Sequence, residues 1–239
     1  NWNERGSGRR SLARMIAEQD PMGVHPDEIA GISAAARGIF ALETLLFDPA
    51  FNRYDSDSYT CSLVATLAGD LARQARNLAT DWTTFAEALR HPGAAGNAQF
   101  LSGAEVQRAL FTQLHGGIEF IADQRLGRPL GDGRGRPLRA ESWRSGRSLR
   151  NVTLSVQAVG RMAEALADAP VPRLQAAVAT ALYFSGSIAD PGFQDVDTPQ
   201  GHLRLESLQG RVRAINTVLT EEIGEAMGLA PGFNSLDGD

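Results

Sequence analysis

SYTCSLVATLAGDLARQARNLATDWTTFAEALR, residues 58–90, decides the fold. Its apolar positions are Val64, Leu67, Leu71, Ala75, Leu78, Trp82, Phe85 and Leu89, separated by steps of 3, 4, 4, 3, 4, 3 and 4. Side chains three and four residues apart share one helical face, so the steps describe a heptad-like stripe on a single long helix. His91-Pro92-Gly93 stops it. Cys61 opens the helix on its apolar side and reads as a small core residue.

The same period recurs outward from this helix. Before it, Arg9–Gln19 carries Leu12, Met15 and Ile16 on one face. A second helix is expected from Pro26 to Phe47, with Asp27 and Glu28 in its first turn and Asp48-Pro49 ending it. After it, Ser102 and Glu105 form a capping-box pattern that starts a helix running to Leu126, with Gly127 as its C-terminal cap. Further helices are expected from about Ser148 to Ala169, from Leu174 to Ile188, and from Gly201 to Met227. No stretch alternates as a strand does. Seven helices with mostly short connections predict an all-α chain of up-down helical bundles.

With 43% apolar and 21% charged residues the 239-residue chain should bury a real core. A net charge of −5 and a pI of about 5.4 argue against nucleic-acid binding. All 23 basic residues of the Lys+Arg count are arginines, and Cys61 is the single cysteine, so no disulfide can form within the chain.

Arginine concentrates in EFIADQRLGRPLGDGRGRPLRAESWRSGRSLRN, residues 119–151, together with Glu119, Asp123, Asp132 and Glu141. Glycines and prolines at this density exclude one regular element and predict a helix end, a structured loop and a helix start. A guanidinium binds a carboxylate or phosphate through two parallel hydrogen bonds. The segment is therefore either an anion-binding, ion-paired site between helices or a solvated loop braced by Arg–carboxylate pairs. On the helix before it, His115, Glu119 and Asp123 follow at i, i+4 and i+8. They share one stripe with donors suited to zinc or iron, or form a polar face satisfied by arginines. Gly23-Val24-His25-Pro26-Asp27-Glu28 fits G-x-H-x-x-E literally, although His25 then stands just outside a helix start. Glu43 is a lone acid in the apolar run IFALETLLF, and its carboxylate must face solvent or meet an arginine or a metal.

Three passages, RGIFALETLLFD (37–48), GIEFIADQRLGRPLG (117–131) and RAESWRSGRSLRN (139–151), resemble the imelysin-like proteins, which are bacterial periplasmic proteins or lipoproteins. The resemblance implies two helical bundles packed side by side, a site between them, and a link to bacterial iron uptake; some relatives are classed as metallopeptidases. It also implies that the family's G-x-H-x-x-E motif falls on Gly38 to Glu43. Phe40 then stands at the histidine position, where it can neither ligate a metal nor move a proton. The chain is expected to begin inside the family sequence. Residues 1–49 would be the remnant of a first bundle and 50–239 a second, and the absent part would carry a signal and a possible lipid anchor. An incomplete bundle exposes an apolar face, expected to be covered by the missing segment or by a second copy.

The leading expectation is thus an imelysin-like periplasmic binding protein for metal uptake, without peptidase activity and with no catalytic residues. Glu43, His115, Glu119 and Asp123 are the candidate ligands for iron or zinc. Gly38, Arg128, Glu141, Trp143, Arg144 and Arg147 are the candidate binding groups for a small anionic ligand. Arginine saturation of the acids would leave an anion or a chelated metal as ligand. The alternatives are a metallopeptidase with His115 or His25 in place of the lost histidine, and a purely structural helical module.

Overall fold

The computed structural model describes residues 6–229. Among them there is no strand, and helices joined by turns carry the chain. The contacts divide it into two compact units, Asn1–Ala86 and Glu87–Asp239. That division falls later in the chain than the expected boundary between residues 49 and 50.

In the first unit, α1 (Ser7–Glu18) and α2 (Gly38–Phe47) close on the start of α3 (Tyr59–Arg90). Leu12, Met15, Ile29, Ala36, Ala41, Leu45, Leu63 and Leu67 form one core. Leu63 and Leu67 lie beyond residue 50, which is why the beginning of α3 belongs with the helices before it. The helix expected from Pro26 is a correction. Residues 21–36 form three 3-10 turns, and the α-helix starts only at Gly38. The Asp20 and Ser33 side chains accept from Met22 N and Ala35 N, and Ile32 and Arg37 are extended, which interrupts the helix the local acids suggested.

A buried carboxylate ties this unit together. The Asp70 side chain has no solvent exposure. It accepts Arg37 Nε and Nη2 at 3.0 Å each, Arg73 Nη2 at 2.5 Å and Gln74 Nε2 at 2.7 Å. Arg37 also donates to the Ala30 carbonyl at 2.9 Å, so one guanidinium joins α3 to the turn before α2.

The apolar stripe on α3 is only half buried, contrary to what its period suggests. Leu63 and Leu67 are in the core, but every residue from Gln74 to Thr84 is exposed, with Leu78 at 68% and Trp82 at 58%. Cys61 is only partly buried.

In the second unit, α4 (Gly103–Glu119) continues through a π-helical segment, Phe120–Gly127, into the short α5 (Arg128–Leu130). α6 (Ser148–Leu166) and α7 (Pro172–Ser185) follow. α8 (Pro199–Leu219) runs through a second π-helical segment, Thr220–Gly224, into α9 (Glu225–Met227). The core joins Phe111, Leu114 and Ile118 of α4 to Val152 and Val156 of α6, Leu174 of α7, and Leu205, Leu208, Val212 and Ile215 of α8. The capping box forms in displaced form: Ser102 Oγ accepts from Glu105 N, and Glu105 reaches back to Leu101 N at 2.7 Å. Gly127 is not the cap. The helix passes through it and ends at Gly131, whose φ of 63° glycine tolerates.

Candidate functional site

The π segment after Glu119 has a visible cause. Gln209, buried on α8, donates its amide to the Ala122 carbonyl at 2.8 Å, and a side chain reaching into the i→i+4 ladder opens it. Gly127 makes room for that amide, since a Cβ there would lie 3.1 Å from Gln209 Nε2. Pro129 two residues on donates no hydrogen bond and crowds the carbonyl four residues earlier, which a widened turn accommodates. Long π segments are rare and concentrate at functional sites.

Two depressions lie beside these segments. The larger, about 560 Å³, is lined by His115, Glu119, Ala122 and Asp123 from α4 and its π segment. Across it stand Arg213, Asn216, Thr217, Thr220 and Glu221 from α8 and its π segment. The smaller, about 370 Å³, is lined by Asp123, Arg128, Asp132, Arg139, Gln209 and Arg213, among others. Asp123 and Arg213 belong to both, and Arg213 Nη2 donates to Asp123 Oδ1 at 2.7 Å, so this ion pair forms a sill between them.

The two sides differ in chemistry. In the larger depression His115 Nδ1 stands 3.4 Å from Glu119 Oε1. Asn216 Oδ1 is buried there with no hydrogen-bond partner, a state that buried polar atoms rarely keep. In the smaller one, burial and the nearby Arg139 guanidinium both lower the pKa of Arg128. Two like charges held together destabilise each other, and an anion between them relieves this.

The sequence stripe His115, Glu119 and Asp123 is thus brought to one cleft, but Asp123 is engaged by Arg213. Among the described residues no three of His, Cys, Asp and Glu are placed to hold one metal ion. Arg128 lines the arginine side. The other candidates of the loop do not line either depression. Glu141 is buried and braced by Arg125, whose Nε donates to Glu141 Oε2 at 2.6 Å, while Asn151 Nδ2 reaches Glu141 Oε1 at 3.4 Å. Arg144 lies over the Trp143 ring at 4.5 Å, and Trp143 packs partly buried against the core. Arg147 is exposed at the start of α6. Gly38 and Glu43 lie in the first unit. Gly38 opens α2 with a φ of 76°, and Glu43 is partly buried one turn on. His25 is exposed in the turns before α2.

The arginine loop is also tied to residues 191–196. Gln194 Nε2 donates to the Pro137 carbonyl at 3.1 Å and Leu149 N to the Pro191 carbonyl at 2.9 Å. Gly135 lies so close to Val196 that a Cβ would overlap the Val196 carbonyl. Sequence reasoning missed the α8 wall, namely Arg213, Asn216, Thr220 and Glu221. The available signal was a polar edge flanking the apolar positions Val212, Ile215 and Leu219.

The model of the family described as Imelysin (Peptidase_M75) matches residues 4–219. No curated protein and no solved structure matches the chain significantly.

Proposed function

The chain belongs to the imelysin family, and on that footing we propose that it is a non-catalytic periplasmic binding protein of bacterial metal uptake. The cleft between α4 and α8 takes an anionic ligand, a hydroxycarboxylate free or carrying chelated iron, rather than a bare ion. The observation that supports this reading is the distribution of charge. The acids nearest the cleft are engaged, Asp123 by Arg213, while Arg128 and Arg139 crowd together on the smaller side. Guanidinium forks suit the carboxylates of such a ligand, and Asn216 Oδ1 is an unused acceptor for its hydroxyl. Phe40 at the motif's histidine position and the absence of a converging three-ligand set among the described residues leave metal-activated water without a holder. The metallopeptidase alternative rests on His115 beside Glu119, one imidazole and one base.

Calorimetry with citrate, ferric citrate, ferrous ion and zinc separates these readings. The proposal expects binding of citrate or its ferric complex that weakens with salt and falls at least about tenfold in Arg128→Gln/Arg139→Gln, with Glu43→Ala unchanged. Binding of free zinc or iron that disappears in Glu43→Ala, or chelator-sensitive hydrolysis of a protein substrate, overturns it.

A further inference from the structure

Between the two depressions Arg213 Nη2 meets Asp123 Oδ1 at 2.7 Å. Two adjacent couplings place the pair. Gln209 of α8 pins the Ala122 carbonyl, and Arg213, one turn further along the same face, comes level with Asp123. Both side chains stay open to water, Arg213 at 59% and Asp123 at 51% exposure. An ion pair this open is favoured by about fivefold at most. Its hydrogen bond uses one nitrogen of a guanidinium that can bind a carboxylate through two. Arg213 has a second use within reach. With Arg128 and Arg139 it lines the smaller depression, where three guanidinium groups stand against the carboxylates of Asp123 and Asp132.

We propose that Asp123 is a resident competitor in the anion site. It occupies the Arg213 guanidinium that a carboxylate of the bound ligand takes over, so Arg213 is the third arginine of the site and Asp123 lowers the site's affinity. The inference rests on the anionic ligand argued above. The exchange leaves no charge buried without a partner: Arg213 passes from one carboxylate to another, and Asp123, half exposed, returns to water. Asp123 opposes the ligand twice. Its bond to Arg213 must open, a factor of about five at most. Its charge then stays beside the ligand's carboxylates, and two like charges about 4 Å apart in water repel by roughly a further fivefold. Asp132 lines the same depression with a fully exposed side chain, 3.9 Å from Arg136. It opposes the ligand by charge alone.

Calorimetry with citrate on the whole chain tests this. Substitutions that remove charge from an anion site through damage to the fold weaken binding; this one should strengthen it. Asp123→Asn should bind citrate about tenfold more tightly than the parent, and Arg213→Gln about tenfold more weakly. The gain from Asp123→Asn should shrink when Arg213→Gln is already present, because no guanidinium is then left to release. Asp132→Asn removes the same charge from the same depression and should gain about twofold at most. Asp123→Ala should gain as Asp123→Asn does, which excludes a new bond from the amide, and circular dichroism should show all variants as helical as the parent. Citrate bound by the parent, but no more tightly by Asp123→Asn, overturns the competitor role and leaves the anion site standing. Equal gains in Asp123→Asn and Asp132→Asn overturn it as well, since net charge would then be the whole effect. Citrate bound by neither the parent nor Asp123→Asn removes the anion site and the competitor together.

Discussion

Asp70→Asn should be the most damaging conservative change in the first unit. The carboxylate is fully buried and accepts four donors: two from Arg37, one from Arg73 and one from Gln74. Hydrogen bonds to a charged group contribute about 1.5–3 kcal/mol each. Arg73 is 41% exposed and recovers water, so its bond counts for little, and Gln74 is exposed as well. Arg37 is only 19% exposed and its guanidinium is left facing a neutral amide, one of whose arms is itself a donor. Breaking one partner of a buried pair costs about 3–5 kcal/mol. We expect the lower end, about 3 kcal/mol, because Arg37 keeps the Ala30 carbonyl and some solvent. Urea unfolding followed by far-ultraviolet circular dichroism measures this as a lower midpoint at unchanged slope. The companion variant Arg37→Met/Asp70→Leu should recover much of the loss, since apolar groups of similar volume often replace a buried pair at little cost. A loss below about 1 kcal/mol in Asp70→Asn, or a double variant worse than the single, would refute the view that this carboxylate anchors α3 to α2.

Three other outcomes are expected. Tyr59 donates to the Asp20 carbonyl at 2.7 Å, and burial, aided by the Asp20 charge, raises its pKa above 10.0. A raised pKa stabilises the protonated fold below the unfolded value and loses that contribution as pH climbs through the folded one. Thermal melts should therefore fall above pH 10, less steeply in Tyr59→Phe, which itself loses about 1 kcal/mol at neutral pH. Glu141→Gln strips Arg125 of its charged partner and should cost about 2–3 kcal/mol by urea titration, without changing ligand binding in the cleft. Gly135→Ala forces a methyl into the Val196 carbonyl and should cost about 2–4 kcal/mol, seen as faster proteolysis of the 131–147 loop.

The helices were legible where apolar spacing and stop signals agreed. Tyr59–Arg90 falls within a residue of its expected limits because His91-Pro92-Gly93 and the heptad pattern speak together. The start of α2 was not legible. Pro26, Asp27 and Glu28 are good first-turn residues, but the Ser33 hydroxyl accepts from Ala35 N and Gly38 takes a positive φ, choices that tertiary packing decides. Periodicity likewise marked Leu78 and Trp82 as a face without saying whether anything covers it. In the site, His115, Glu119 and Asp123 could be placed on one stripe because they are local. Arg213 and Asn216 lie some 90 residues away, and only folding brings them opposite. Asp70 escaped notice because, in sequence, a buried carboxylate beside Arg73 and Gln74 looks like any wet helix face.

The π segment at Phe120–Gly127 has a consequence for how this wall can vary. Each π turn accommodates one residue more than an α-helix of equal span, so the segment behaves as an absorbed insertion. Deleting one residue inside it would restore α spacing locally and leave the residues downstream facing as before, whereas the same deletion in the regular part of α4 would rotate everything beyond it by about 100°. Arg128 would then keep its side of the cleft, and the core of α4 upstream its register. The chain therefore carries, between its two most chemically loaded stretches, a joint that can take up a single-codon change in length without re-aiming one against the other.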